Sequence, residues 1–269
     1  MEAKAANLLP IFRFTLISIF VAMSHCNNFS LLEKLENPGG GGQTGGIGTG
    51  ACSASATGIV KNGLVAFYNL NGNLNDRWDC GNGLQTGSGN SFSYVTDRFG
   101  VAGNAINLIS GAGVVSLGNI PEYQTSLFTV CSWVRLTAAA TTMPVVRKHD
   151  GTNGYKFQIR DTTVSADFGF GNTYYVSVGT GMTVSSWYYT CMVADTTLSP
   201  SIIGYVGLYG SSLVSSQYNA VATFTGNASN LELNATGGSG GAVEFDDVVF
   251  YNRALNSAEI QQNYTASEQ

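Results

Sequence analysis

From Gly63 onward the chain is a succession of short apolar runs, each broken by Gly, Asn, Asp or Ser. LVAFYNL, AINLI, GVVSL, FTVCSWVRL, PVVRK, GYKFQIR, VSADFGF, YYVSV, WYYTCMVA, IGYVGLY, SLVSS, LEL and VEFDDVVFY follow one another. No helical period of useful length interrupts them before Leu255. Residues 149–154 (HDGTNG), 160–163 (RDTT) and 209–212 (YGSS) carry the chemistry of tight turns between antiparallel strands. Many strands with turn signals and no intervening helices predict an all-β, antiparallel two-sheet sandwich or jelly roll. One short helix closes the chain. Asn256 is placed to cap it, Glu259 completes a capping box, and Leu255 with Ile260 forms a hydrophobic staple.

The first 58 residues read differently. Phe14–Met23 is an apolar run of ten, preceded by Lys4 and Arg13. It has the length of a signal-peptide hydrophobic region and falls short of the ~20 residues of a spanning helix. Residues 1–25 are therefore read as a signal peptide. VAMSHC resembles a relaxed bacterial lipobox, which makes Cys26 the lipidated residue and the membrane a partner through its anchor; His25 departs from the small residue usual there. An ordinary secretory signal cleaved nearby is the other reading. Residues 26–58, with NPGGGGQTGGIGTG at 37–50, form a glycine-rich tether. The expectation is an exported, membrane-anchored bacterial lipoprotein with a globular domain over 59–269.

Charge excludes one class of partner. Only 11% of residues are charged, the net charge is −5, and no basic cluster exceeds the neighbours Arg147 and Lys148. Nucleic-acid backbone binding has no electrostatic basis here. Besides Cys26 the chain has Cys52, Cys80, Cys131 and Cys191. Four cysteines in an exported protein suggest two disulfides of three connectivities, with buried thiols as the alternative. Aromatic side chains are numerous and most must be core. Trp78 stands in a polar loop, and Tyr174 and Tyr175 follow the GFGN turn, where exposed rings beside amides suit a sugar; loop packing explains them equally well.

Three stretches carry a family resemblance. GLVAFYNLNGNLND (63–76), TDRFGVAGNAINL (96–108) and FDDVVFYNRALNSAEIQ (245–261) resemble, in that order, the opening strand and loop, the second strand with its turn, and the closing strand and helix of laminin G-like, or concanavalin A-like, jelly-roll domains. The resemblance implies that the first and last strands lie side by side. It also implies a structural calcium ion held by Asn73, Asn75, Asp76, Asp246 and Asp247, whose oxygens suit that ion. The competing reading has the aspartates bonding turn backbone or pairing with Arg253 or Arg77. Cys131 and Cys191 fall in strands that the family packs together, which favours Cys131–Cys191 and leaves Cys52–Cys80 as the second bridge.

The same fold hosts lectins, hydrolases and adhesive modules, so function has to be argued from the site. Sandwich glucanases of this kind use an E-x-D-x-E-like run on one strand. Here Glu244-x-Asp246 is followed by Val248, so the third carboxylate is missing. A nucleophilic triad would need histidine, and the two present are His25 and the turn residue His149. The expectation is a tethered, non-enzymatic binding or adhesion module for a glycan or glycosylated protein. A structural envelope component and a degenerate glycan-active enzyme are the alternatives.

Overall fold

The computed structural model describes residues 58–78, 87–109, 112–138, 143–160, 165–179, 182–234 and 242–266. Cys26, Cys52 and Cys80, and with them the signal peptide, the lipid anchor, most of the tether and the Cys52–Cys80 bridge, lie outside these residues. Within them the strands are β1 (Leu64–Tyr68), β2 (Ser88–Asn90), β3 (Phe92–Val95), β4 (Ala105–Leu108), β5 (Val114–Ser116), β6 (Leu127–Leu136), β7 (Met143–His149) and β8 (Gly154–Arg160). They continue as β9 (Ser165–Phe170), β10 (Thr173–Gly179), β11 (Trp187–Asp195), β12 (Ile202–Leu208), β13 (Leu213–Tyr218), β14 (Glu232–Asn234) and β15 (Val243–Tyr251), and α1 (Ser257–Thr265) follows.

Two antiparallel sheets face each other, the arrangement of a concanavalin A-like jelly roll. The first runs β13-β12-β11-β6-β15-β4-β3, with β1 also paired to β15; the second runs β10-β9-β8-β7-β14-β5-β2. Between them lies the main core, built from alternate residues of both sheets: Phe128, Val130, Phe245 and Phe250 from one, and Val146, Tyr155, Phe157 and Phe168 from the other. This is period-two patterning with each inner face apolar.

A second apolar layer covers the outer face of the first sheet. It contains Trp133, Trp187, Tyr189, Val249 and Tyr251 from the strands, Ile260 and Tyr264 from α1, and Ile59, Val60 and Phe67 from the entering chain. Because both faces of this sheet are buried, β6 and β11 read as nearly unbroken apolar runs. The Cys131–Cys191 disulfide lies in this layer, between residues directly opposite on β6 and β11, with Cα atoms 4.0 Å apart.

Helix α1 forms as its local sequence dictates. The Asn256 side chain accepts from the Glu259 N–H at 3.0 Å, and Glu259 accepts from the Asn256 N–H at 2.9 Å. Glu259 also takes both ends of the Arg253 guanidinium, at 2.6 and 2.9 Å. Arg253 thus belongs to the helix cap and not to the aspartate pair. The first and last strands do pair, Leu64 with Tyr251 and Tyr68 with Val248.

Candidate functional site

The two neighbouring aspartates occupy a seam. Along one edge of β15, β4 pairs with Val243–Phe245 and β1 takes over at Val248–Tyr251. Asp246 and Asp247 fall in the gap. On the other edge the register with β6 slips between Asp246 and Val248, and Asp247 adopts a positive φ of 43°. This is a β-bulge, which adds one residue to the strand. Strict alternation predicts that one aspartate points into the packed side. The bulge overturns that: Phe245 and Val248 both face the main core, and both carboxylates reach the same arginine on the opposite face.

That arginine is Arg98. The Asp97 carboxylate accepts from the N–H groups of Phe99 and Val101 at 2.9 and 2.8 Å, closing the turn that presents it. Arg98 Nη1 donates to Asp246 and Nη2 to Asp247, the latter at 2.6 Å. Its guanidinium lies 4.3 Å from the Phe99 ring centroid and 4.9 Å from that of Trp133. Burial raises the Asp246 carboxyl well above the usual range, and its neighbour Asp247 adds to this; Arg98 opposes both. Asp247 is raised as well, by burial first, against the pull of Arg98. Two carboxylates share one cation in a largely dry place, and the arrangement braces the seam.

The acidic residues of the expected calcium set each have protein partners. Asp76 Oδ1 accepts from the N–H groups of Phe67 and Trp78, each at 2.8 Å, and its charge is felt at Tyr68 and Tyr123. Asn73 Oδ1 accepts from the Asn75 N–H at 3.0 Å. These residues shape their own loop, while Asp246 and Asp247 engage Arg98. Among the described residues no group of three or more His, Cys, Asp or Glu side chains is arranged to hold a metal ion. The arginine partner is neither Arg253 nor Arg77 but a residue 148 positions away in the sequence.

Two of the three proposed sugar-contacting rings turn inward. Trp78 is only 8% exposed and packs in the outer apolar layer with Phe67 and Trp133. Loop polarity reports on backbone turns and not on where a large ring finds cover. Tyr175 lies at the edge of the main core, 4.8 Å from the Tyr218 ring and 6.1 Å from that of Phe170. Tyr174 points the other way and remains half exposed.

Tyr174 belongs to a polar row across the outer face of the second sheet. Register places Ser116 opposite Glu232, Glu232 opposite Arg147, Arg147 opposite Lys156, Lys156 opposite Gly169 and Gly169 opposite Tyr174. Arg147 Nε donates to Glu232 at 2.9 Å. Lys156 extends across Gly169 and sets its ammonium 4.9 Å from the Tyr174 ring centroid. A Cβ at Gly169 would come within 2.0 Å of the Thr173 carbonyl oxygen, so this position of the row stays bare. In the next row the Tyr174 hydroxyl donates to Gln158 Oε1 at 2.7 Å, and Gln158 Nε2 donates to Asp167 at 3.0 Å. Ring and ammonium thus share one face, above an amide and a carboxylate that are only 6% and 4% exposed. Hydrogen-bonding groups beside an aromatic surface are what a polyhydroxylated ring requires.

One buried cation lies at the end of β7. Lys148 donates to Asn119 Oδ1 at 2.7 Å, to the Asn227 carbonyl at 3.1 Å and to the Ser229 carbonyl. Burial pushes its pKa down to about 8. Asn227 and Asn263 head N-x-S/T sequons, but both side chains are used internally: Asn227 Nδ2 donates to two carbonyls and Asn263 Oδ1 accepts from the Val60 N–H.

Residues 110–261 match a laminin G family of the concanavalin A-like lectin/glucanases superfamily. The chain belongs to this superfamily. Among curated proteins none matches it in sequence. Solved structures of similar fold include a Trypanosoma rangeli sialidase in complex with sialic acid, at TM-score 0.54 and 17% identity over 77% of this chain and 33% of that one. The binding domain of Paraclostridial Mosquitocidal Protein 1 is similar at TM-score 0.56 and 14% identity, over 76% and 52%. A botulinum neurotoxin type C structure, from work on cell entry dependent upon two ganglioside molecules, is similar at TM-score 0.56 and 11% identity, over 76% and 51%. This lectin/glucanase-like chain spans about a third of the sialidase and half of each toxin chain.

In the sequence Arg98, Lys156, Gln158, Asp167 and Glu232 carry no motif, and Arg147 stands out only as the neighbour of Lys148. The signal for part of the row was present. GYKFQIR alternates Lys156 and Gln158 against Tyr155, Phe157 and Ile159, which places both polar side chains on one outer face.

Proposed function

We propose that this chain is a non-enzymatic glycan-binding module, exported and held at a cell surface by its N-terminal segment. The observation that carries the reading is the half-exposed Tyr174 beside the half-exposed Lys156 on the outer face of β8–β10, with the Tyr174 hydroxyl fixed by the buried Gln158. Membership of a superfamily that includes lectins supports it, as do structural neighbours found with sialic acid or studied for ganglioside-dependent entry. A binding role is further supported by the fate of the carboxylates that match the glucanase run. Glu244 is held by Arg135 and Asp246 by Arg98, so neither is free to protonate or attack a glycosidic bond. The Cys131–Cys191 bridge fits an oxidising compartment. Shallow sites of this kind bind weakly, and clustering on a surface then supplies avidity. The test is a broad glycan array probed with multimerised protein, alongside an assay for released reducing sugar. Glycan retention that falls at least about fivefold in Tyr174→Ala is expected, the scale of one ring contact worth ~1 kcal/mol. Turnover of any polysaccharide would replace the binding reading with a catalytic one.

A further inference from the structure

We infer that this face selects glycans carrying an acidic sugar, with the Lys156 ammonium as the contact for the sugar carboxylate. The inference rests on the glycan-binding reading above and names its ligand class.

Charge balance singles out Lys156. β7 and β8 place Arg147 and Lys156 directly opposite each other, two cations side by side on one face. Like charges so placed repel. Arg147 is answered by Glu232, just as Arg98, Arg135 and Arg253 each carry a carboxylate elsewhere. Lys148 is surrounded by three oxygens. Lys156 has no ion pair among the described residues; its ammonium meets only the Tyr174 ring. Desolvation, and then the nearby Arg147, hold its pKa below that of an ordinary lysine. In a chain of net charge −5, this leaves a half-exposed cation with no carboxylate partner among the described residues. Gly169, with no side chain of its own, lets the Lys156 side chain cross to the Tyr174 ring.

A carboxylated pyranose fits this arrangement in two parts. Its carboxylate answers the ammonium in a charge-assisted hydrogen bond, the stronger kind. Its C–H face lies against the part of the Tyr174 ring that Lys156 leaves exposed, a ring whose hydroxyl is fixed by the buried Gln158. A neutral sugar would cover Lys156 without balancing it, which costs desolvation for no ionic return.

The test compares glycans ending in a carboxylated sugar, the methyl esters of the same glycans, and neutral glycans, all probed with the full chain. Retention of the acids about tenfold over their esters is expected, the scale of one hydrogen bond to a charged group. Lys156→Gln should retain acid and ester equally, and Lys156→Arg should restore the preference, with unchanged melting confirming that each variant folds. Equal retention of acid and ester by the unaltered protein overturns the inference, as does an undiminished preference in Lys156→Gln. Retention of neutral glycans alone overturns the inference and leaves the glycan-binding reading standing. Retention of no glycan overturns the reading on which it rests.

Discussion

Replacing Asp247 by asparagine should stabilise the protein at neutral pH, although the change weakens an ion pair. Arg98 balances one of the two carboxylates, and the side chains of Asp246 and Asp247 are only 4% and 13% exposed. The second negative charge is therefore held in a place that disfavours it, and both carboxyls are raised. An unfolded aspartate titrates near pH ~4. The folded pair binds a proton at pH values where the unfolded chain has released it. Stability from that proton is complete below about pH 4 and is lost as the pH rises through the folded value. An asparagine keeps an acceptor for Arg98 Nη2, tolerates the positive φ and removes the excess charge. The expected gain at pH 7 is about 1–2 kcal/mol, and Arg98→Met should instead lose about 3–5 kcal/mol by stranding both carboxylates. Urea denaturation from pH 4 to 8 measures both. The Asp247→Asn curve and that of the unaltered protein should converge at the acid end, because the unaltered site is protonated there. Parallel curves, or a loss above about 1 kcal/mol in Asp247→Asn, would refute the charge count.

Lys148→Met should destabilise by about 2–4 kcal/mol, because it leaves the Asn227 and Ser229 carbonyls buried without their donor; chemical denaturation measures it, and a neutral result would mean water reaches them. Opening the Cys131–Cys191 bridge, which spans 60 positions, should cost about 4 kcal/mol by loop-closure entropy, read from melts of the Cys131→Ala/Cys191→Ala variant. Millimolar calcium should leave the melting temperature within about 1 °C, since Asp246 and Asp247 already carry Arg98. A rise of several degrees would return them to a cation.

What was legible in the sequence was local or periodic. The Asn256–Glu259 box needs residues three apart and forms as its spacing dictates. Alternation in β8 marks the main core, whereas β6 and β11, buried on both faces, read as strands from their unbroken apolar runs. Alternation failed at Asp247 because one extra residue in a strand reverses every later assignment, and nothing in VEFDDVVFY announces it. Arg98 was invisible as a partner because its turn and the seam meet only in three dimensions. Tyr174 and Tyr175 looked equivalent as neighbours in sequence. A strand presents successive side chains to opposite faces, and one of the two had to join the core.

The chain enters the domain where it leaves it. Gln262 of α1 donates to the Gly58 carbonyl, Asn263 takes the Val60 N–H, and Tyr251 donates to the Val60 carbonyl. Both ends are thus knotted together on the outer side of the first sheet, and the Tyr174 row looks out from the far side of the second. A leash fastened at Gly58 would pull from the back of the module while its front stays presented. The same geometry makes the unit a cassette: spliced into a loop of another protein, it would add a forward-facing surface and hardly part the residues on either side of the splice.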